Sequence, residues 1–356
     1  MKKVFFINRI YSSKDGATGR LIEELSTVLQ SNDFNIQYLC PQKKYNRFLT
    51  LMILIYKSLF ISKKNCDCVV IMTDPPFLIC LAPIFKLKGI KVIHWIQDLY
   101  PDLFTINNLS FFNSPIFTKI NSFFYKSVDY FIVIGRDIKK HIHNKYHIKE
   151  EKISTIYNWA NIYLRSLDKI HDDKFRVLYS GNLGKAYNFD LVLSVANLLR
   201  KNPKIVFQIN GNGCKQNYIF EQINKLNLTN IIHSNYLSEI DYLKSLNEAS
   251  ITLLPIKKIT LGQLSPCKIY DSLVCGTPCI YSGPEESEVA LLINEYDCGW
   301  NIKSAEDIAK KIEELYSNRS EIETKGENAL KVNETIGLHK AKKDFEGVLG
   351  ECITNN

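Results

Sequence analysis

With 356 residues, the chain exceeds the ~250 to 300 at which a single hydrophobic core usually stops growing, so two domains are expected. A hydrophobic share of 46% is ordinary for a globular protein, and the net charge of +8 points to an anionic partner: a phosphorylated substrate, an acidic membrane surface or nucleic acid. The ten cysteines exclude the usual zinc and thioredoxin frameworks, because neither Cys66 with Cys68 nor Cys275 with Cys279 has the required spacing.

Most of those cysteines lie in apolar, strand-like runs and are expected to be buried, reduced thiols. The opening MKKVFFINRI has too short an apolar run for a signal peptide and no small-residue cleavage site, so it reads as the first strand of a cytosolic protein. After Val4 to Ile7, SSKDGATGR gives a glycine-bearing loop and LIEELSTVLQ an amphipathic helix, together a strand–loop–helix unit. Gly16 and Gly19, with Thr18 between them, would let backbone approach a ligand, although their spacing fits neither a dinucleotide fingerprint nor a P-loop. Asn35 to Cys40 and Cys66 to Met72 read as the next strands, the latter stopping at the prolines of TDPPF.

Between them, RFLTLMILIYKSLFISKK is apolar on nearly every helical face from Phe48 to Ile61, with Lys43, Lys44, Arg47, Lys63 and Lys64 beside it. It is too short and too interrupted to span a bilayer. Two readings remain: a helix lying in a membrane interface, or one packed between sheet and solvent. The first expects polar replacement of Leu51, Ile53 and Ile55 to weaken liposome binding.

In IKVIHWIQDLYPD, Val92 to Ile96 form a buried strand, and Asp98, Pro101 and Asp102 fall beyond its carboxyl end, where open parallel sheets bind ligands. His94 is a candidate ligand or a core histidine; Asp98 is a candidate functional carboxylate or a turn residue. An aromatic, lysine-dotted helix follows, then DYFIVIG as strand, RDIKKHIHNKYHI as helix and KISTIYNWAN as the last strand of this half. The charged stretch Asp168 to Lys174 reads as a linker.

The alternation then restarts. FRVLYSGNLGK is a strand ending in a turn that resembles a phosphate nest, with Gly181 and Gly184 permitting positive φ around Asn182 and Lys185 supplying charge. KIVFQINGNG repeats the pattern with Gly211 and Gly213. IIHSNYL, SITLLPI and PCIYSG bring the strands to roughly six. In SPCKIYDSLVCGTPCIYSG, Ser265 and Pro266 predict a helix start, Gly276 its end, and Lys268 stands in the first turn. Such a helix start suits an anion such as a diphosphate, or only water. Ser304 to Tyr316 and Ile336 to Val348 read as closing helices.

In this order, DGATGRLIEEL, TDPPF, HWIQDLYPD, VIGRDI, IYNWAN, YSGNLGK, INGNG and GQLSPCKIYDSLVCGTPCIYSGPEESEVA resemble a family 4 glycosyltransferase of the GT-B fold, nearest its bacterial surface-polysaccharide branch. The resemblance covers most of the chain. It implies an α/β chain of two Rossmann-like parallel-sheet domains facing across a cleft: 1–166 on the acceptor side, 167–335 binding the nucleotide sugar, and 336–356 as a helix crossing back to the first domain. It implies a retaining, metal-independent transfer from a nucleotide sugar, UDP-linked by expectation, to a glycan or polyprenyl-linked acceptor. No cofactor and no nucleic-acid partner are expected. The chain is expected in the cytoplasm, with peripheral contact at the acidic inner face of the membrane.

Under this resemblance the donor-binding set is Gly181, Asn182, Gly184, Lys185, Gly211, Gly213, Gln263, Ser265, Lys268, Asp271 and Glu288. The catalytic set is Asp98, Gln97 and His94, and Gly16, Thr18 and Gly19 form an acceptor-side loop. Lys185 and Lys268 are assigned to the departing diphosphate, whose charge fixed cations can stabilise. No Asp-x-Asp triplet, the metal motif of the other common transferase architecture, occurs in the sequence. Two departures stand out. Gln97 replaces a histidine frequent in relatives, and Gln263 and Asp271 occupy the positions of a Glu-x7-Glu pair. They motivate a rival reading as a non-catalytic nucleotide-binding subunit, and a nucleotide-sugar epimerase shares the fold.

Overall fold

The computed structural model describes residues 1–30, 33–41, 45–107, 110–160 and 173–354. It divides into two compact units, Met1–Asn158 with Gly262–Ser265 and Gly337–Asn356, and Trp159–Leu261 with Pro266–Ile336. Lys43, Lys44 and residues 168–172 of the expected linker lie outside the described residues, as does the expected boundary at 166/167.

The first unit is built on six parallel strands: β1 (Lys2–Ile7), β2 (Phe34–Leu39), β3 (Cys68–Ile71), β4 (Lys91–Ile96), β5 (Tyr130–Val133) and β6 (Ile153–Thr155), ordered β2-β1-β3-β4-β5-β6. Right-handed crossovers decide which face each helix covers. The step from β1 out to β2 puts α1 (Ala17–Leu29) on one face. Every later step runs the other way, so α2 (Arg47–Ser58), α3 (Ala82–Leu87), α4 (Pro115–Lys126) and α5 (Arg136–Tyr146) cover the opposite face. Between that layer and the sheet, Val69, Val92, Phe85, Tyr125, Ile138 and Tyr146 belong to one buried cluster. The last helix, α13 (Leu338–Thr354), lies beside α1, where Phe345 stacks on Phe6 at 6.0 Å and meets Trp95 edge-on at 5.3 Å.

The second unit repeats the plan with β7 (Phe175–Ser180), β8 (Ile205–Asn210), β9 (Ile231–Ser234), β10 (Ile251–Pro255), β11 (Cys279–Ser282) and β12 (Gly299–Asn301), ordered β12-β11-β10-β7-β8-β9. The direction of winding reverses between β7 and β10. In such sheets a crevice opens outside the carboxyl ends of the two strands at the reversal. The helices are α6 (Phe189–Leu198), α7 (Gln216–Lys225), α8 (Glu239–Glu248), α9 (Lys268–Val274), α10 (Glu288–Tyr296), α11 (Ala305–Ser317) and α12 (Ser320–Thr335).

Several local expectations are corrected. The helix expected to start at Ser265 starts at Lys268, with Cys267 as an N-cap that makes no side-chain capping bond. Ser265 instead belongs to the four-residue segment that joins the first unit. Its far end behaves as the sequence indicates: Gly276, at φ +61°, lets its own N–H reach the Leu273 carbonyl and that of Thr277 reach Ser272. Strand β12, three residues long, left no periodic signal. Helix α12 was missed because it lacks a capping side chain and carries Gly326 in its interior, which reads as a break. That glycine is needed for packing, since a Cβ there would stand 2.7 Å from the Gly276 carbonyl oxygen. In α2, Leu51 and Ile55 pack against the core, so they are poor probes of membrane contact.

Candidate functional site

Within the second unit, the loops after β7 and β8 press together at the carboxyl edge of the sheet. Gly181 N–H donates to the Asn210 carbonyl, Leu183 N–H to Asn212, and Lys215 N–H to Leu183, at 2.8, 2.8 and 2.9 Å. The glycines are forced by this contact. A Cβ on Gly211 would stand 1.9 Å from the Gly181 carbonyl oxygen, and Gly211 also has φ +137°. A Cβ on Gly213 would stand 2.4 Å from the Leu183 oxygen, while one on Gly184 would meet the Asn182 amide at 2.9 Å. Beneath the loops, Asn210 Oδ1 accepts from Ser234 Oγ at 2.8 Å, whereas its Nδ2 is buried with no partner among the described residues.

Lys268 reaches the same edge from the first residue of α9. Its Nζ donates to the Tyr187 hydroxyl at 2.8 Å and lies 4.2 Å from the Tyr187 ring centre and 5.1 Å from that of Tyr179. Its stem crosses Gly181 so closely that a Cβ there would stand 2.2 Å from Lys268 Cε. Tyr187 bridges Ile256 beyond β10, so this cation is fixed at the reversal between β7 and β10. Lys185 is exposed on the outer part of the loop. Asp271, three residues into α9 from Lys268, accepts from the Tyr242 hydroxyl at 3.0 Å. Glu288 is buried at the first position of α10, directly after the N-cap Ser287.

In the first unit, Asp98 follows β4 and forms an isolated antiparallel bridge with Leu264, while Leu99 N–H donates to the Gln263 carbonyl at 2.7 Å. Gly262, at φ +71°, donates to Asp137 Oδ2 at 3.3 Å, pinning the start of this segment to α5. Gln263 and Ser265 thus stand by the Asp98 loop, and Ser265 Oγ is buried without a partner among the described residues. Asp98 has its pKa pushed up to about 6, first by desolvation and then by the Asp74 charge, with Arg47 opposing. Asp74 is itself paired with Arg9 at 2.7 Å.

The loop is held by Asp102. Burial would raise its pKa, but His141, Lys145 and Tyr146 on α5 outweigh that and keep it below the ordinary carboxylate value. Tyr146 donates to Oδ2 at 2.6 Å, His141 contacts Oδ1 at 3.2 Å, and Lys145 is ion-paired to the same oxygen.

The other two residues expected to act with Asp98 are engaged elsewhere. Gln97 and Asn158 exchange amide hydrogen bonds at 3.2 and 2.8 Å, both side chains being buried. His94 is a core histidine: its Nδ1 meets the Ile71 carbonyl at 2.8 Å, its ring lies edge-on to Tyr125 and Phe131, and burial lowers its pKa to about 4. At the other loop, Gly16 caps α1, and a Cβ on Gly19 would lie 2.1 Å from the Ser12 oxygen; Thr18 is half-buried beside them. Sequence reasoning missed Tyr179 and Tyr187, whose rings face Lys268, and Tyr242, which donates to Asp271. It also missed the Arg9–Asp74 pair, for which TDPPF offered a signal.

Two family models match the chain, Glycosyltransferase Family 4 over residues 19–162 and Glycosyl transferases group 1 over residues 163–332. Probable glycosyltransferase WbjE of Pseudomonas aeruginosa is 22% identical over 295 residues, covering 76% of this chain and 72% of that protein. Among solved structures, Anabaena Alr3699/HepE in complex with UDP and glucose is similar with a TM-score of 0.73 at 12% identity, covering 98% of this chain and 100% of that one. WaaG, a glycosyltransferase involved in lipopolysaccharide biosynthesis, has a TM-score of 0.70 at 11% identity, covering 99% and 100%. The structural likenesses show the GT-B fold.

Proposed function

The chain belongs to the glycosyltransferases of the GT-B fold, and from that premise we propose that it moves a sugar, with retention at the anomeric carbon, from a UDP-linked donor to a lipid-linked or growing surface polysaccharide. The donor side is read in the second unit, where the paired glycine loops offer backbone N–H groups and Lys268 offers a fixed cation. The observation that carries the reading is Lys268 itself, braced by Tyr187 and laid across Gly181 at the reversal of the sheet. As the bond from the anomeric carbon to the diphosphate breaks, negative charge grows on the departing oxygens. A cation already held in place stabilises that charge without reorganising, and this chemistry needs no metal.

The acceptor side is read in the first unit at Asp98. Its carboxylate accepts a hydrogen bond from the incoming hydroxyl and stabilises positive charge on the sugar ring. Gln97, locked to Asn158, contributes position and no proton transfer. The UDP preference is supported by the UDP complexes of the Anabaena structure, and the polysaccharide class by WaaG, a glycosyltransferase involved in lipopolysaccharide biosynthesis. Work at the cytoplasmic membrane face follows from a lipid-linked acceptor; no helix among the described residues is long and apolar enough to cross a membrane.

Thermal stability against a panel of UDP-, GDP-, dTDP- and ADP-sugars tests the donor site. A ligand at ~100 times its dissociation constant stabilises by ~2.7 kcal/mol. UDP-sugars are expected to stabilise the wild type, and Lys268→Ala by a smaller amount. If no nucleotide sugar stabilises the wild type, the reading fails.

A further inference from the structure

The second unit has a cavity of about 270 Å³ at the amino edge of its sheet, opposite the edge that carries the glycine loops. The turns that lead into β10 and β11 form one wall, with Ala249, Cys275 and Gly276. Helix α12 forms the other. Its Ile322, Gly326 and Leu330 recur every four residues and share one face, with Glu323 and Glu327 beside them. The hollow has a cause in the packing: α12 meets the end of α9 backbone to backbone at Gly326 and Gly276, so no side chain lies along that crossing.

The inside of the cavity is apolar. Ala249 and Cys275 are buried, Ile322 is half-buried, and Leu330, 50% exposed, stands at the mouth.

The mouth is acidic, and its charges are unanswered. Glu323 and Glu327 are exposed and one helical turn apart, a like-charged spacing that by itself weakens a helix. Neither carboxylate has an ion pair or hydrogen bond among the described residues. Glu248, also in the lining, meets only Lys244 of its own helix among those residues, at 3.8 Å. Neighbouring glutamates behave otherwise: Glu314 and Glu321 share Lys311 at 3.1 and 3.3 Å. The cations of the lining are committed elsewhere. Arg319 donates to the Lys174 carbonyl at 3.1 Å and lies 5.9 Å from the Phe175 ring centre, which holds it to the start of β7, and Lys174 has a partner of its own.

Two requirements define the occupant. It must bring positive charge to the mouth and apolar surface to the inside. No group of histidines, cysteines or carboxylates among the described residues has the arrangement to hold a metal ion, so the charge has to arrive on a stem. An alkyl chain with ammonium groups meets both requirements, in the way that lysine stems lie on apolar surface with the charged head in water. Several carboxylates at one mouth favour more than one ammonium.

We infer that this cavity binds a linear aliphatic polyamine, its chain lying between Leu330 and Cys275 and its ammonium groups reaching Glu323, Glu327 and Glu248. The site is separate from the glycine loops and does not rest on the proposed function.

The test is isothermal titration calorimetry of the full chain with spermidine, over a range of sodium chloride and with magnesium chloride at matched ionic strength as comparison. Wild type is compared with Glu323→Gln/Glu327→Gln, which removes charge from two exposed positions, and with Leu330→Trp, which fills the mouth and keeps both carboxylates. Spermidine is expected to bind the wild type saturably at one site, less tightly as salt rises, and each variant to bind about tenfold more weakly. Unaltered thermal melting shows that the variants are folded. Binding by Glu323→Gln/Glu327→Gln equal to wild type overturns the inference. Leu330→Trp binding as wild type does, or magnesium displacing spermidine at equal ionic strength, reduces the effect to surface charge and overturns it as well. So does a wild type that ignores spermidine, including one that takes a lysine-bearing peptide instead.

Discussion

Gln97 and Asn158 close on each other through two amide hydrogen bonds, each side chain satisfying a donor and an acceptor of the other in a buried position. Gln97 cannot take a proton, and this pairing also keeps its amide from turning toward a substrate. It joins the end of β4 to the segment after β6, steadying the backbone that presents Asp98 one residue later. Gln97→Ala is expected to cost about 1–3 kcal/mol, because it leaves a buried amide short of partners. Asn158→Ala should cost a similar amount, and the double variant clearly less than the sum. Urea unfolding of the four proteins measures this coupling. Strict additivity would mean that the pair does not act as a unit.

Asp98 gives a prediction in which stability and activity move in opposite directions. Its folded-state pKa is raised from 3.8 to about 6, chiefly by desolvation. The folded protein therefore holds this proton more tightly than the unfolded chain does. The associated stabilisation is fully present below the unfolded value and is lost as pH rises through about 6, a loss on the order of 3 kcal/mol. Asp98→Asn should accordingly raise the melting temperature at pH 7.5 while lowering turnover about 100-fold or more. Wild-type kcat/KM should rise through pH 6 and level off above 7 if the carboxylate is the active form. A variant that is destabilised at pH 7.5, or retains turnover, contradicts the assignment.

The sheets were legible because fully buried parallel strands are short apolar runs with glycine or proline at their ends. Phe175–Ser180 and Ile205–Asn210 could be read directly, and so could the glycines after them. Three residues at Gly299–Asn301 carry no period, and Gly326 disguises a helix whose reason for a glycine lies at Gly276, fifty residues earlier. The site was legible only in part. Lys268 and Asp98 stood out by charge and position, but their partners are distant in sequence: Tyr187 braces Lys268, Tyr242 holds Asp271, and burial, with the Asp74 charge second, raises the pKa of Asp98. Periodicity says nothing about such pairs. Ser265 shows the converse error, since a good capping residue beside a proline was drawn away by pairing of its segment with Asp98 and Leu99.

The anchor under the Asp98 loop is the Asp102 carboxylate, which His141, Lys145 and Tyr146 all address from α5. Removing one charge from a buried, multiply paired site leaves the others uncompensated. Asp102→Ala is expected to destabilise by about 3–5 kcal/mol. Because the pKa of Asp102 is lowered in the folded state, this contribution is present above the unfolded carboxylate value and is lost as pH falls through the folded one. The difference in stability between wild type and Asp102→Ala should therefore shrink in acid. A difference that does not change between neutral pH and the acid limit of the folded protein would argue against a charged anchor.

Lys268 and Gly181 give the sharpest test of the donor side, because the glycine has no side chain in the space the lysine stem crosses. Lys268→Ala should lower kcat about 100- to 1000-fold, as expected when a group that stabilises leaving-group charge is removed, with a smaller change in KM. Tyr187→Phe keeps the ring and removes only the hydroxyl that accepts from Nζ, so a loss of roughly 3- to 10-fold is expected. Gly181→Ala leaves Lys268 in the chain. Its new Cβ would stand 2.2 Å from Lys268 Cε, near the flexible end of that side chain, so the lysine should be displaced, and the φ of +136° at Gly181 adds backbone strain that lowers stability besides. The expected result is a folded protein with turnover reduced to that of Lys268→Ala, and a double variant no worse than either single one. If Gly181→Ala retains wild-type turnover, the position of Lys268 over this turn is not what drives release of the diphosphate.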